Sequence, residues 1–401
     1  MAILMAIFTI KMAILRNSLL NTIERTLGRR ILEYLKIPQK AALVYGARRV
    51  GKTVLLNQII KNYGNKVLFL NGEDNDAQAL LEERSAANYR RILADKEILA
   101  VDEAQSVPDI GRKIKLILDE VPGIHVIASG SSSFDLQNKA GEPLVGRSAV
   151  FFLTPFSYNE ITAFEDALET RQNLENRLVY GSYPEVALMD SLRQKEEYLR
   201  DIVGAYLLKD ILALDGLRNS SKMHNLCRLI AFQAGSEVSG EELGRELGMS
   251  KTTVEKYLDL LSKVFVIFRL KAFARNLRKE VVKTGKWYFY DNGIRNAVIG
   301  NFSPLALRQD AGALWESYLI GERFKQMYNT GTERKYYFWR TYDQQEIDLI
   351  EEDDNKINAF EFKWGGKFPK IPAGFAGSYP GASFEVINRE TYLSFLAEIR
   401  R

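Results

Sequence analysis

The eight residues GARRVGKT at 46–53 follow directly on the apolar run AALVY and lead into VLLNQIIKNYG, a stretch with helical spacing that ends at Gly64. A buried strand passing through a glycine-flanked turn into a helix commits this part of the chain to an α/β layer architecture. Glycine lets the backbone wrap closely, so that successive N–H groups and the helix N-terminus face one anion. Gly46, Ala47, Arg48, Arg49, Val50, Gly51, Lys52 and Thr53 fit the spacing G-x-x-x-x-G-K-[ST]. In that pattern the lysine reaches the β and γ phosphates of a nucleotide and the hydroxyl reaches Mg²⁺. ATP with Mg is therefore the expected ligand, and a chance strand–turn–helix match is the alternative.

A second stretch, EILAVDEAQ (97–105), is an apolar strand that ends in Asp102 and Glu103. In P-loop ATPases with an additional strand, the first such acid binds Mg²⁺ through water and the second polarises the attacking water. Two solvated loop acids are the plain alternative. IHVIASGSSSFDL (124–136) is another apolar strand with a polar end. Ser129 is the expected contact to the γ-phosphate or the water, set against a simple Ser/Gly turn. The expected catalytic set is thus Glu103, Lys52 and Ser129. With KVLFLNGED (66–74) and AVFFLTPFS (149–157), five strands alternate with helical segments and imply a parallel sheet.

GARRVGKT, LAVDEAQ, IASGSSS and LVGRSAVFFLTPFSYNEI together resemble the AAA-type ATPases of bacteria and archaea that end in an uncharacterised C-terminal domain. The resemblance runs through nearly the whole chain beyond the N-terminal stretch. It implies ATP binding, slow hydrolysis and self-association, since such modules often complete their sites between subunits. Arg147, in VGRS, matches a recurrent Gly-Arg of that family and is expected either at phosphate, at a neighbouring subunit, or as a surface or packing arginine. No arginine finger is placed.

At 401 residues the chain is long enough for two or three domains. The net charge of +4 leaves any nucleic-acid surface to local clustering. Cys227 stands alone, which excludes an intramolecular disulfide and fits a reducing cytoplasm. With His125 and His224 as the two histidines, zinc is disfavoured while an oxygen-ligated metal stays open. The opening MAILMAIFTIKMAILRNSLL is interrupted at Lys11, short of the roughly 18–20 apolar residues a membrane span needs. An extension or a misassigned start, at Met5 or Met12, is preferred over a packed helix or an anchor. The expected division is 1–20 extension, 21–155 ATPase core, 156–217 helical lid or connector, 218–300 winged helix-turn-helix and 301–401 a small restriction-endonuclease-like domain.

Residues 158–181 and 191–216 are amphipathic at helical spacing, with Gly181 and Pro184 marking the break between them. KMHNLCRLIAFQAG, SGEELGRELG and SKTTVEKYLDLLSKVF then give three helices, the last two separated by the dipeptide GM. That is helix-turn-helix spacing. Ser250 is the expected N-cap of a recognition helix exposing Lys251, Thr252, Thr253 and Lys256. The following stretch reads as two strands around a basic loop, with seven basic residues between 269 and 286, Arg269, Lys271, Arg275, Arg278, Lys279, Lys283 and Lys286, and one acid, Glu280. Such a wing could contact DNA phosphates, and a lid or protein-contact role is the competing reading.

In the tail, a helix carrying Glu316 precedes three strands holding Asp348 and the sequence Glu361-Phe362-Lys363. A helix acid, a strand Asp and Glu-x-Lys resemble the PD-(D/E)xK nucleases. The resemblance implies a Mg²⁺ site of Glu316, Asp348 and Glu361 with Lys363 beside it. The usual proline before the Asp is missing, Glu346 and Ile347 standing there instead. An ion-paired strand, or a retained fold without cleavage, is the alternative.

Overall fold

The computed structural model describes residues 23–131, 144–207, 220–273, 285–341, 343–353, 356–366 and 368–397. The N-terminal extension, Arg275, Arg278, Lys279, Glu280 and Lys283 lie outside these residues. Two compact units divide the chain: one reaches Thr154 and includes Tyr328–Thr330, and the other takes Pro155–Met327 and the chain from Gly331.

The first unit is a five-stranded parallel sheet in the order β2-β3-β4-β1-β5. Its strands are β1 (Ala41–Tyr45), β2 (Val67–Asn71), β3 (Ile98–Asp102), β4 (His125–Gly130) and β5 (Ser148–Phe152). Continuous apolar runs suit strands covered on both faces, and β1 and β3 are buried at every position. The edge strands β2 and β5 are only partly covered. β4 lies between β1 and β3, so the phosphate-loop strand and the acid strand are one strand apart.

The second unit begins with short helices, Tyr158–Thr162, Ala167–Gln172 and Leu174–Tyr180. Two capping boxes, Ser157 with Glu160 and Asp166 with Glu169, start new helices where periodicity alone suggests continuity. Gly181, at φ 73°, ends the third, and Pro184 opens Pro184–Ala187. After Leu192–Asp201 come Ser220–Phe232, Gly240–Leu247 and Lys251–Lys263, the three helices of a winged helix, with the wing strands β7 (Ile267–Ala272) and β8 (Gly285–Phe289). β6 (Glu237–Val238) pairs with β8.

The winged helix is not closed at residue 300. β7 pairs in parallel with β9 (Lys335–Arg340), at Lys271↔Tyr337 and Ala272↔Phe338. A single seven-stranded sheet results, β12-β11-β10-β9-β7-β8-β6. Its tail strands are β10 (Glu346–Asp353), β11 (Lys356–Phe362) and β12 (Ser383–Ile387). β9, β10 and β11 form an antiparallel meander, and β12 returns parallel to β11 after the helix Ala373–Ser378. The boundary expected between 300 and 301 thus separates strands that share one sheet.

A buried polar knot ties the connector helices to the long helix Ala311–Thr330 inside this unit. Ser182 N–H donates to Asp291 at 2.7 Å, and Lys325 donates to Ser182 Oγ at 2.7 Å, the Phe156 carbonyl at 3.1 Å and Glu322 at 2.8 Å. Glu322 also accepts from Tyr158 N–H at 2.6 Å. A Cβ on Gly181 would lie 2.0 Å from the Asp291 carboxylate, so only glycine fits there.

Candidate nucleotide site and acidic corner

The loop 46–53 leaves the end of β1, and Gly51 at φ 93° turns it into the helix Lys52–Ile60. Arg49 also holds a positive φ of 65°, a conformation that costs a non-glycine residue about 1–3 kcal/mol. Gly46 is fixed by packing, since a Cβ there would meet the Leu153 carbonyl at 2.3 Å. Lys52 is buried, and its ammonium donates to the carbonyls of Gly46 and Ala47, each at 3.1 Å.

Asp102 and Ser129 complete the arrangement at the same ends of β3 and β4. Thr53 Oγ1 donates to Asp102 Oδ2 at 2.5 Å, and Ser129 Oγ donates to Asp102 Oδ1. The Ser129 hydroxyl also accepts from Glu103 N–H at 3.3 Å. Glu103 sits in the left-handed region at φ 46°, and its carboxylate accepts from the Gln105 side-chain amide. Ser129 is fully buried and spends its hydroxyl on the two acids. The hydroxyl expected at the γ-phosphate or the water thus lies beside both acids. The donors present, a threonine hydroxyl hydrogen-bonded to a carboxylate beside a buried ammonium, are the hard oxygen set that suits Mg²⁺ with a polyphosphate.

Arg25 carries no motif, yet it braces the loop from behind. It is 2% exposed and donates to the carbonyls of Val50, at 2.7 Å, and Thr154, at 2.6 Å. Arg147 sits at the wrong end of the sheet for phosphate. It pairs with Asp119, and its carbonyl accepts from Ala41 N–H at the start of β1, opposite the loop.

On the winged helix, Ser250 caps the helix Lys251–Lys263 by accepting from Thr253 N–H at 3.1 Å. Lys251, Thr252 and Lys256 are exposed on it, Lys251 pairing with Glu241 at 3.0 Å. Arg269 and Lys271 alternate outward on β7. Lys286 departs from the expected basic wing, being 1% exposed and turned into the unit.

The tail residues converge, but around that lysine. Lys286 lies 3.4 Å from Glu316 and also contacts Glu346, and its ammonium is 5.4 Å from the Phe338 ring centroid on β9. Tyr288, two residues along the same strand, donates to Glu316 at 2.5 Å. Asp348 follows Ile347, where the β9–β10 register shifts, and accepts from Phe362 N–H at 2.7 Å. Lys363 donates to Glu361 at 2.7 Å. Burial, and then the charge of Glu316, push the Asp348 carboxyl up to about 7. Burial raises Glu316 and Glu361 as well. Burial works against the Lys286 ammonium, yet Glu316, Glu346 and Asp348 outweigh it and hold it above the usual lysine range. Among the described residues, no three acidic, histidine or cysteine side chains are disposed to hold a metal ion.

Fold and phosphate loop together define the first unit as an AAA-type P-loop module, followed by a region that contains a winged helix. Residues 38–162 match the AAA domain family model. Residues 171–305 and 311–386 match two domains of unknown function, DUF8612 and DUF4143. An uncharacterised protein of Mycobacterium tuberculosis is 26% identical over 80% of this chain and 69% of its own length. An uncharacterised protein of Methanocaldococcus jannaschii is 24% identical over 82% of this chain and 75% of its own. Among solved structures, a Walker-type ATPase of Pyrococcus abyssi aligns with 68% of this chain and 94% of its own, at 15% identity and a TM-score of 0.49. No helix among the described residues is long and apolar enough to cross a membrane.

Proposed function

We propose that the chain is a Mg²⁺-dependent ATPase whose nucleotide state governs a nucleic-acid-binding C-terminal unit. The observation that carries this reading is the hydrogen-bonded set Thr53–Asp102–Ser129 beside the buried Lys52. Lys52 and the loop N–H groups bind the phosphates, Glu103 orients the attacking water, and Ser129 fixes both acids. Thr53 and Asp102 would hold Mg²⁺, which would supply positive charge to neutralise the phosphates. Lys251, Thr252 and Lys256 on the recognition helix, with Arg275 and Arg278 from the sequence between β7 and β8, supply the nucleic-acid contacts. Self-association in the manner of AAA modules and a cytoplasmic setting belong to the same reading.

Steady-state phosphate release tests the reading. Glu103→Gln is expected to lower kcat at least a hundredfold while ATP still binds, and Lys52→Ala to abolish binding. Duplex DNA is expected to raise turnover, and Lys251→Glu with Lys256→Glu to remove that stimulation. Unchanged turnover in Glu103→Gln would remove the ATPase assignment.

The order helix, three-stranded meander, helix, parallel strand supports a PD-(D/E)xK-like fold for the tail, in which Glu316, Asp348 and Glu361 would be the metal ligands. The ammonium of Lys286 among those acids favours a second reading, an ATP-dependent switch that binds DNA or a partner protein and cuts nothing. DNA without effect on turnover would point to a partner protein.

A further inference from the structure

Four carboxylates meet in the tail corner, and each has an internal partner. Glu316 has Lys286 at 3.4 Å and the Tyr288 hydroxyl at 2.5 Å. Glu346 has Lys286, Glu361 has Lys363 at 2.7 Å, and Asp348 has the Phe362 N–H at 2.7 Å. Lys286 reaches this point from a wing strand. Two strands, β7 and β9, stand between β8 and β10 in the sheet, so the side chain reaches across them, over Phe338 on β9. At 1% exposure it is shut off from bulk solvent.

A divalent cation needs ionised oxygens that converge on one point and are free to turn to it. Here an ammonium stands among those oxygens, and a second cation entering there would meet like charge at close range in a poorly screened interior. We propose that the ammonium of Lys286 takes the place of a divalent cation in this corner, so that the C-terminal unit holds its carboxylates without metal and is not a metal-dependent nuclease. Lys286 is thus an internal counter-ion that fastens the wing to the tail. The wing contributes this residue, which no inspection of the tail alone supplies. The inference stands whether or not the first unit hydrolyses ATP.

Mn²⁺ binding to the nucleotide-free full chain, read by electron paramagnetic resonance, tests it. Wild type is expected to bind no Mn²⁺ that Asp348→Asn with Glu361→Gln removes. Lys286→Met keeps the aliphatic stem and deletes the charge. It is expected to gain one Mn²⁺ per chain, lost again when Asp348→Asn is added, and Mn²⁺ should then raise its melting temperature. Lys286→Arg, which keeps the charge, should gain none. Wild type binding Mn²⁺ through Asp348 and Glu361 would overturn the proposal, and this arm needs no variant at Lys286. A folded Lys286→Met that gains no ion would overturn it too, since the ammonium would then not be what excludes metal.

Discussion

Arg25 illustrates how much of the nucleotide site rests on a residue outside it. Its guanidinium holds two carbonyls, one in the phosphate loop and one just past β5, from a nearly water-free position. Losing a hydrogen bond to a charged group costs about 1.5–3 kcal/mol. Arg25→Ala is therefore expected to destabilise the first unit by about 3 kcal/mol and to weaken ATP binding about tenfold, by calorimetry. Arg25→Lys should not restore it, because an ammonium cannot span both carbonyls as the planar fork does. ATP affinity unchanged in Arg25→Ala would show that the loop holds its shape without the brace. The contrast with Lys52 and Thr53 explains what was legible. Loop, lysine and acids are read from contiguous residues because the chemistry fixes their spacing along one strand or turn. Arg25 meets Thr154 across 129 residues, and Lys286 meets Glu316 across 30. Nothing local marks either, and β8 is buried at four of its five positions, so no alternation tells which way Lys286 faces.

At the scale of elements, the helix-turn-helix was readable for the same reason the phosphate loop was. A serine cap, a short turn and two amphipathic stretches are local features. The turn is tight for a reason seen in one glycine: a Cβ on Gly244 would lie 2.6 Å from the Met249 carbonyl. Gly244→Ala is thus expected to push the two helices apart and cost about 2–3 kcal/mol in urea unfolding. Gly240→Ala is the control. Its Cβ would find the Lys251 stem at an ordinary 3.4 Å, and alanine should be neutral or stabilising by up to about 1 kcal/mol. Equal effects from the two would show that the close approach does not matter. What the elements concealed was continuity. The β7–β9 pairing is parallel and joins residues more than sixty apart, and long-range register of that kind leaves no periodic trace.

Over the whole molecule, that shared sheet changes what can be removed. A chain ended at residue 300 loses β9 from the edge of β7, Lys325 from Asp291, and Glu316 and Glu346 from Lys286. A buried charge stripped of its partner costs about 3–5 kcal/mol, a large part of a domain's stability. Residues 155–300 are therefore expected to be digested rapidly by a dilute protease in such a chain, while the full chain resists. Lys286→Met gives the sharper result because its sign should reverse. In the full chain it abandons Glu316 and Glu346 and should destabilise by about 3–5 kcal/mol. In the shortened chain the carboxylates are already gone, so the same change removes an uncompensated ammonium and should slow digestion. Slowing in both, or in neither, would mean that the wing does not depend on the tail for its counter-charge.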